Sequence, residues 1–186
     1  EVQGLIVMKP GPGGGPRVAR VDSSHFARMT TLYLMLNGAT YGDVLQARMV
    51  IEPFMVRLAA QRRDPESVRR LEDYIASPQP SADTRPEDHL LASSEYHGMV
   101  SGMSGNPVLD LVAQAIRYVY ADRQRGMTYP PEARERVLRE HVQIAEAIRD
   151  GQADRAESLM REHMAEFGAF AEARYPGILD EPVEWR

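Results

Sequence analysis

Two of the five histidines in this chain are spaced to meet. His141 falls on the apolar stripe of Val137, Leu138, Ile144, Ala145 and Ile148, and His163 on that of Ala156, Met160, Phe167 and Phe170. Both stripes have helical spacing, so both imidazoles share a face with core side chains. The residue midway between them is Gln152, inside the tight turn Asp150-Gly151-Gln152. Two antiparallel helices joined there carry the rings at nearly the same height, each about 15 Å from the turn. Two imidazoles facing each other across a helix pair are what two ligands of one metal ion require.

His97 lies on an earlier helical stretch, near Leu90, Ser93, Ser94 and Val100. A third imidazole from a neighbouring helix completes a set that suits zinc, nickel or another divalent ion, with positions left for water or a ligand carboxylate. His89 is a poor fourth member, because eight residues of helix put it about 12 Å away along the axis. Any one of these histidines alone reads more simply as a hydrogen-bonded core residue. For the symmetric pair the two readings stand level. Arg48 precedes Glu52 by one helical turn. The pair reads either as an ion pair on a solvated face or as an inward guanidinium that clamps a ligand carboxylate.

The elements that must position these residues are helices. Asp22-Ser23-Ser24 offers a first N-cap, and Asn37-Gly38 a stop. Thr40-Tyr41-Gly42-Asp43 resembles a capping box and opens a long helix to about Arg63, with Pro53 inside it and a kink allowed there. Asp64-Pro65 starts a third helix to about Ala76, and Ser77-Pro78-Gln79-Pro80 is a loop. A fourth helix runs from about Pro86 to Met103. Ser104-Gly105-Asn106-Pro107 ends it and starts a fifth, which reaches about Arg125. After a break at Gly126 to Pro130, the sixth spans Pro131 to Ile148 and the seventh Ala153 to about Arg174. No strand-like alternation follows residue 22, so the body is an all-α, antiparallel bundle of six to seven helices.

The first twenty residues differ. Gly4 to Lys9 and Arg17 to Val21 read as two short strands around Pro10-Gly11-Pro12-Gly13-Gly14-Gly15-Pro16, a hairpin with a glycine-rich tip, or else as a disordered linker. The chain of 186 residues has no cysteine and a net charge of −5, which excludes thiolate metal sites and speaks against a stand-alone nucleic-acid binder. No apolar run reaches the roughly 20 residues of a membrane span, and no secretory signal is visible. A cytoplasmic protein is expected. The chain begins without an initiator Met, so further sequence is expected upstream.

Several segments resemble one family. The stretch Asp43 to Pro53, with Arg48 and Glu52 four apart, is similar to the second helix of the FCD domain, the effector domain of the FadR subfamily of GntR regulators. Tyr96-His97 followed by Ser104-Gly105-Asn106-Pro107-Val108-Leu109 resembles a second family segment. Glu140-His141, Ile144 to Ile148, Asp150, Ala153, Ala156 and Glu162-His163-Met164 resemble its ending. Together these cover about residues 40 to 170. The hairpin is similar to the wing of the family's winged helix-turn-helix domain, whose recognition helix would lie upstream.

The resemblance implies roles. The family's metal is held by an Asp and a His one turn apart, plus two later histidines. The histidines carry over to His97, His141 and His163, but the Asp position is Ser93, a far weaker ligand. Metal-bound and metal-free pockets therefore both stand, the latter with imidazoles donating to an anionic effector. Arg48 occupies a position that often meets an effector acid. The expected organisation is a wing remnant and linker over 1–21, an effector-binding bundle over 22–176 and a C-terminal tail over 177–186. The expected function is ligand-responsive control of operator binding by a homodimer, with a small carboxylate as effector, operator DNA met through the N-terminal domain, and no membrane association. No enzymatic activity is expected. The rival is a His-rich helical metallohydrolase, against which Glu162, adjoining His163, projects to another face. A further alternative is a structural dimer module with histidines as core filler.

Overall fold

Punctuation residues set the helix boundaries. The computed structural model describes residues 6–18, 23–77, 84–124, 127 and 129–185. The expected strand positions at Gly4, Leu5 and Ala19 to Val21, the cap Asp22, the loop Pro78 to Pro80 and the breaks at Gly126 and Thr128 lie outside them. Helix α1 (Ser23–Leu36) stops before Gly38, whose φ of +68° is one that glycine adopts freely. Helix α2 (Tyr41–Arg62) opens on the expected capping box: Asp43 N donates to Thr40 Oγ1 at 3.2 Å and Thr40 N to Asp43 Oδ2 at 2.8 Å. It continues as one helix through the buried Pro53. Helix α3 (Pro65–Ala76) starts on Asp64, which accepts from Ser67 N at 3.0 Å. Helix α4 (Pro86–Gly102) is followed by α5 (Pro107–Gln124), whose first amides, Val108 N and Leu109 N, donate to Asn106 Oδ1. Helices α6 (Pro131–Arg149) and α7 (Ala153–Arg174) close the bundle around the turn at Gly151, φ +73°.

Strands β1 (Ile6–Lys9) and β2 (Gly15–Val18) pair antiparallel, Ile6 opposite Val18 and Lys9 opposite Gly15. The second strand begins two residues before Arg17, because Gly14 N donates to Gly11 O and closes the turn early.

Helix α2 is the centre: it packs on α4, α5, α6 and α7. Val44, Leu45, Val56, Val100, Ile144, Ile148 and Met160 form the main core. Met127, Tyr129, Ala171 and Ile178 form a second cluster at one end. Residues 177–185 join these cores. Ile178 and Val183 are buried, Ile178–Asp180 form a 3-10 turn, Tyr41 N donates to Glu181 O and Val183 N to Ala39 O. Gly177 and Pro182 break any periodicity there, so sequence pattern alone sets the stretch apart. Among the described residues no helix is long and apolar enough to cross a membrane.

Candidate metal centre and ligand pocket

Three helices bring three imidazoles to one point. His97 of α4, His141 of α6 and His163 of α7 are 5%, 0% and 5% exposed, and one nitrogen from each lies within 4.8 Å of the others. Nε2 of His163 is 3.3 Å from Nε2 of His141 and 3.3 Å from Nε2 of His97. The turn at residues 150–152 places His141 and His163 level, as their spacing predicts. Tyr96, beside His97 on α4, stacks on the His141 ring at 4.0 Å between centroids and 16° between planes, which fixes that ring from behind.

Two carboxylates orient the set. Nδ1 of His97 donates to Oε2 of Glu52 at 2.6 Å, and Nδ1 of His163 donates to Oε2 of Glu140 at 2.7 Å. A proton held at Nδ1 leaves a lone pair on Nε2 of a neutral ring, so these bonds set the tautomer. Burial, partly opposed by Glu52, pushes the His97 pKa down to about 4, so that ring is neutral at pH 7. His141 is held well below the usual histidine value, first by burial and then by His163 and His97. The Nε2 lone pairs of His97 and His163, facing each other at 3.3 Å, repel, and a cation between them removes the repulsion. A tetrahedral ion with metal–nitrogen bonds of about 2.0–2.1 Å separates its ligands by about 3.3 Å. Two of the three nitrogen separations equal that value and the third is within 4.8 Å, so the donor set suits a divalent ion of this kind, with at least one position left open.

Arg48 forms an ion pair with Glu52, but turned into the bundle rather than on a solvated face. Its Nε donates to Glu52 Oε1 at 2.6 Å, an i,i+4 pair, but each side chain is only 5% exposed. The guanidinium also lies 5.5 Å over the Tyr120 ring. Glu52 thus joins Arg48 to His97. Arg48 and His97, despite the burial of Glu52, hold its carboxyl well below the usual range.

Beside the triad lies a cavity of about 20 Å³ lined by Arg48, His89, Ser93, His97, His163 and several apolar side chains. That is room for about one water molecule. Ser93 lines this cavity from the turn before His97. Sequence reasoning missed Glu52 and Glu140 as partners of the histidines. The available signal was placement: Glu52 shares a face of α2 with Leu45, Arg48, Met55 and Val56, all buried. Glu162, as expected, projects elsewhere and bonds Ser158. Among the described residues no carboxylate joins the Nε2 cluster itself.

The chain matches the FCD domain model over residues 43–166. It is 26% identical over 167 residues to a Mycobacterium gastri protein that carries the name HTH-type transcriptional regulator RmpR. The match covers 87% of this chain and 59% of that relative, so the chain spans under two thirds of the relative's length. The solved structure of Streptococcus agalactiae GntR superposes with a TM-score of 0.57 over 89% of this chain and 75% of that one. At 20% identity this likeness speaks for the fold alone.

Proposed function

Because the chain belongs to the FCD domain family, we propose that it is the effector-sensing and dimerisation domain of a cytoplasmic, ligand-responsive DNA-binding regulator of the GntR type, FadR subfamily. The effector is a small organic acid, held near Arg48, His97, His141 and His163. The observation that carries the reading is the convergence of three Nε2 atoms, two of them fixed by Glu52 and Glu140, beside a cavity that also reaches Arg48.

His97, His141 and His163 would hold a divalent ion, zinc or nickel, whose chemistry is that of a Lewis acid offering open positions to a carboxylate. Ser93 leaves the set without a carboxylate ligand, so the centre keeps its positive charge for the effector. Arg48 donates to Glu52 through Nε and presents its remaining N–H groups to the acid. The room for one water is too small for an organic acid, so the effector must bind a wider helix arrangement better than the closed one. Only that difference in affinity can shift the equilibrium. Operator DNA is met through a winged helix-turn-helix to which β1 and β2 belong, and two copies set the half-site spacing. Hydrolysis is disfavoured because Glu52 and Glu140 are engaged on the Nδ1 side and neither is placed as a base.

The test is titration calorimetry on the purified chain, stripped by chelator, with zinc, nickel and short carboxylic acids. Uptake of one ion per chain and a raised melting temperature are expected. His141→Ala and His163→Ala should each weaken uptake beyond the roughly 10–100-fold of an outer-shell change. If neither ions nor acids bind or raise the melting temperature, the reading fails.

A further inference from the structure

Helix α1 is held to the bundle from one side. Among the described elements it packs on α5 alone and makes no close backbone contact with α2. Between α1 and α2 the structure leaves a cavity of about 250 Å³. Phe26, Thr30 and Leu34, successive turns of α1, form one wall; Ala47 of α2 and Ala115 and Ile116 of α5 form the others. The cavity shares no lining residue with the histidine pocket, which has a volume of about 20 Å³. Protein interiors are close-packed and hold few voids larger than a water molecule. Thr30 and Asp43 are the only polar side chains along this wall, and Asp43 Oδ2 already accepts from Thr40 N and Oγ1. No cation lines it. Water gains little in such a space, and an anion gains nothing.

We propose that this cavity is a second ligand site, for an uncharged apolar molecule on the order of ten carbon atoms, such as an alkylbenzene. An apolar cavity of about 150 Å³ holds benzene and stays dry without it. Here there is room for a ring and a short chain, and Phe26, 42% exposed, borders the mouth. The ligand touches α1 and α2 at once and supplies the packing between them that the chain itself lacks. Helix α1 follows the hairpin in sequence, after residues 19–22. The ligand therefore steadies the element that leads from the N-terminal segment into the bundle. A partner helix, about 10–12 Å across with its side chains, is too wide for the space. Met29, Tyr33 and Leu36 are exposed on the adjacent face of α1, so a second copy covers them without filling the cavity.

The test is calorimetry and hydrogen exchange on the whole chain with toluene, n-butylbenzene and n-hexylbenzene. Wild type should bind one n-butylbenzene, and amide exchange in α1 should slow about 10-fold on saturation. Butyrate should not displace it. Ala115→Leu, which fills the space, should weaken binding about 10-fold or more and leave zinc uptake within about 2-fold. Leu34→Ala, which enlarges the space, should shift the preference towards n-hexylbenzene; it decides the matter if Ala115→Leu does not fold. Absence of saturable binding to wild type overturns the site. So does binding that neither variant alters, or that butyrate abolishes, because the probe then sits elsewhere. If Ala115→Leu instead converts a dimer to monomers and leaves probe binding unchanged, a side chain of the second copy fills the cavity and the proposal falls.

Discussion

Glu52 and Glu140 do the same job for two histidines in different surroundings, and that difference is measurable. Glu52 is buried with Arg48 and His97, whereas the Glu140 side chain is 20% exposed. Glu52→Gln removes the counter-charge of a buried guanidinium and should cost on the order of 3–5 kcal/mol in denaturant unfolding. Glu140→Gln should cost about 1 kcal/mol or less. Each should weaken metal affinity roughly 10–100-fold, because each orients one ligand ring. Comparable stability losses for the two variants would contradict this assignment. His89 carries a second expectation. Its folded pKa, about 4, lies below its ordinary 6.5, so between these values the unfolded chain binds more protons. Its contribution is therefore fully present above about pH 6.5 and lost as pH falls towards 4. In chelator, His89→Leu should flatten the pH dependence of unfolding in that window by one proton. The three converging histidines were legible because polar rings on apolar stripes stand out. Their carboxylate partners were not, because a Glu one turn from an Arg has the pattern of a surface pair. Glu52 follows Arg48 in this way and Glu140 follows Arg136.

Whole helices were more legible than their partners. Thr40, Asp64-Pro65 and Asn106-Pro107 mark helix starts through local hydrogen bonds that need no tertiary context. The turn at Gly151 joins α6 to α7 and sets His141 level with His163. A Cβ there would lie 2.8 Å from Arg63 Cδ, a flexible side-chain atom that can move, but a φ of +73° would still strain alanine. Gly151→Ala should therefore destabilise by about 1–2 kcal/mol and lower metal affinity with it. Unchanged unfolding would argue that the turn relaxes at no cost. The segment after α7 was illegible for the opposite reason: its bonds to Ala39 and Tyr41 are made by backbone atoms, across more than a hundred residues, and leave no trace in side-chain pattern.

At the scale of the molecule, α1 presents Phe26, Met29, Tyr33 and Leu36 on one stripe, between 42% and 72% exposed. An apolar stripe at helical spacing is what a second copy would cover, and it supports the proposed homodimer. Tyr33→Glu should shift sedimentation from dimer to monomer without unfolding the chain; an unchanged dimer would place the interface elsewhere. The histidine centre also has a history in time. His141 and His163 are 22 residues apart within one helical hairpin, whereas His97 is 66 residues from His163 and 45 from Glu52. Local contacts form before distant ones during folding. By sequence separation, two of the proposed ligands and the orienting Glu140 are expected to assemble first, and the third proposed ligand with its own carboxylate last. Zinc added at the start of refolding should then shorten the approach to the native state more than zinc added at the end. An ion would serve first as a nucleus for the hairpin, and only afterwards as part of a sensor.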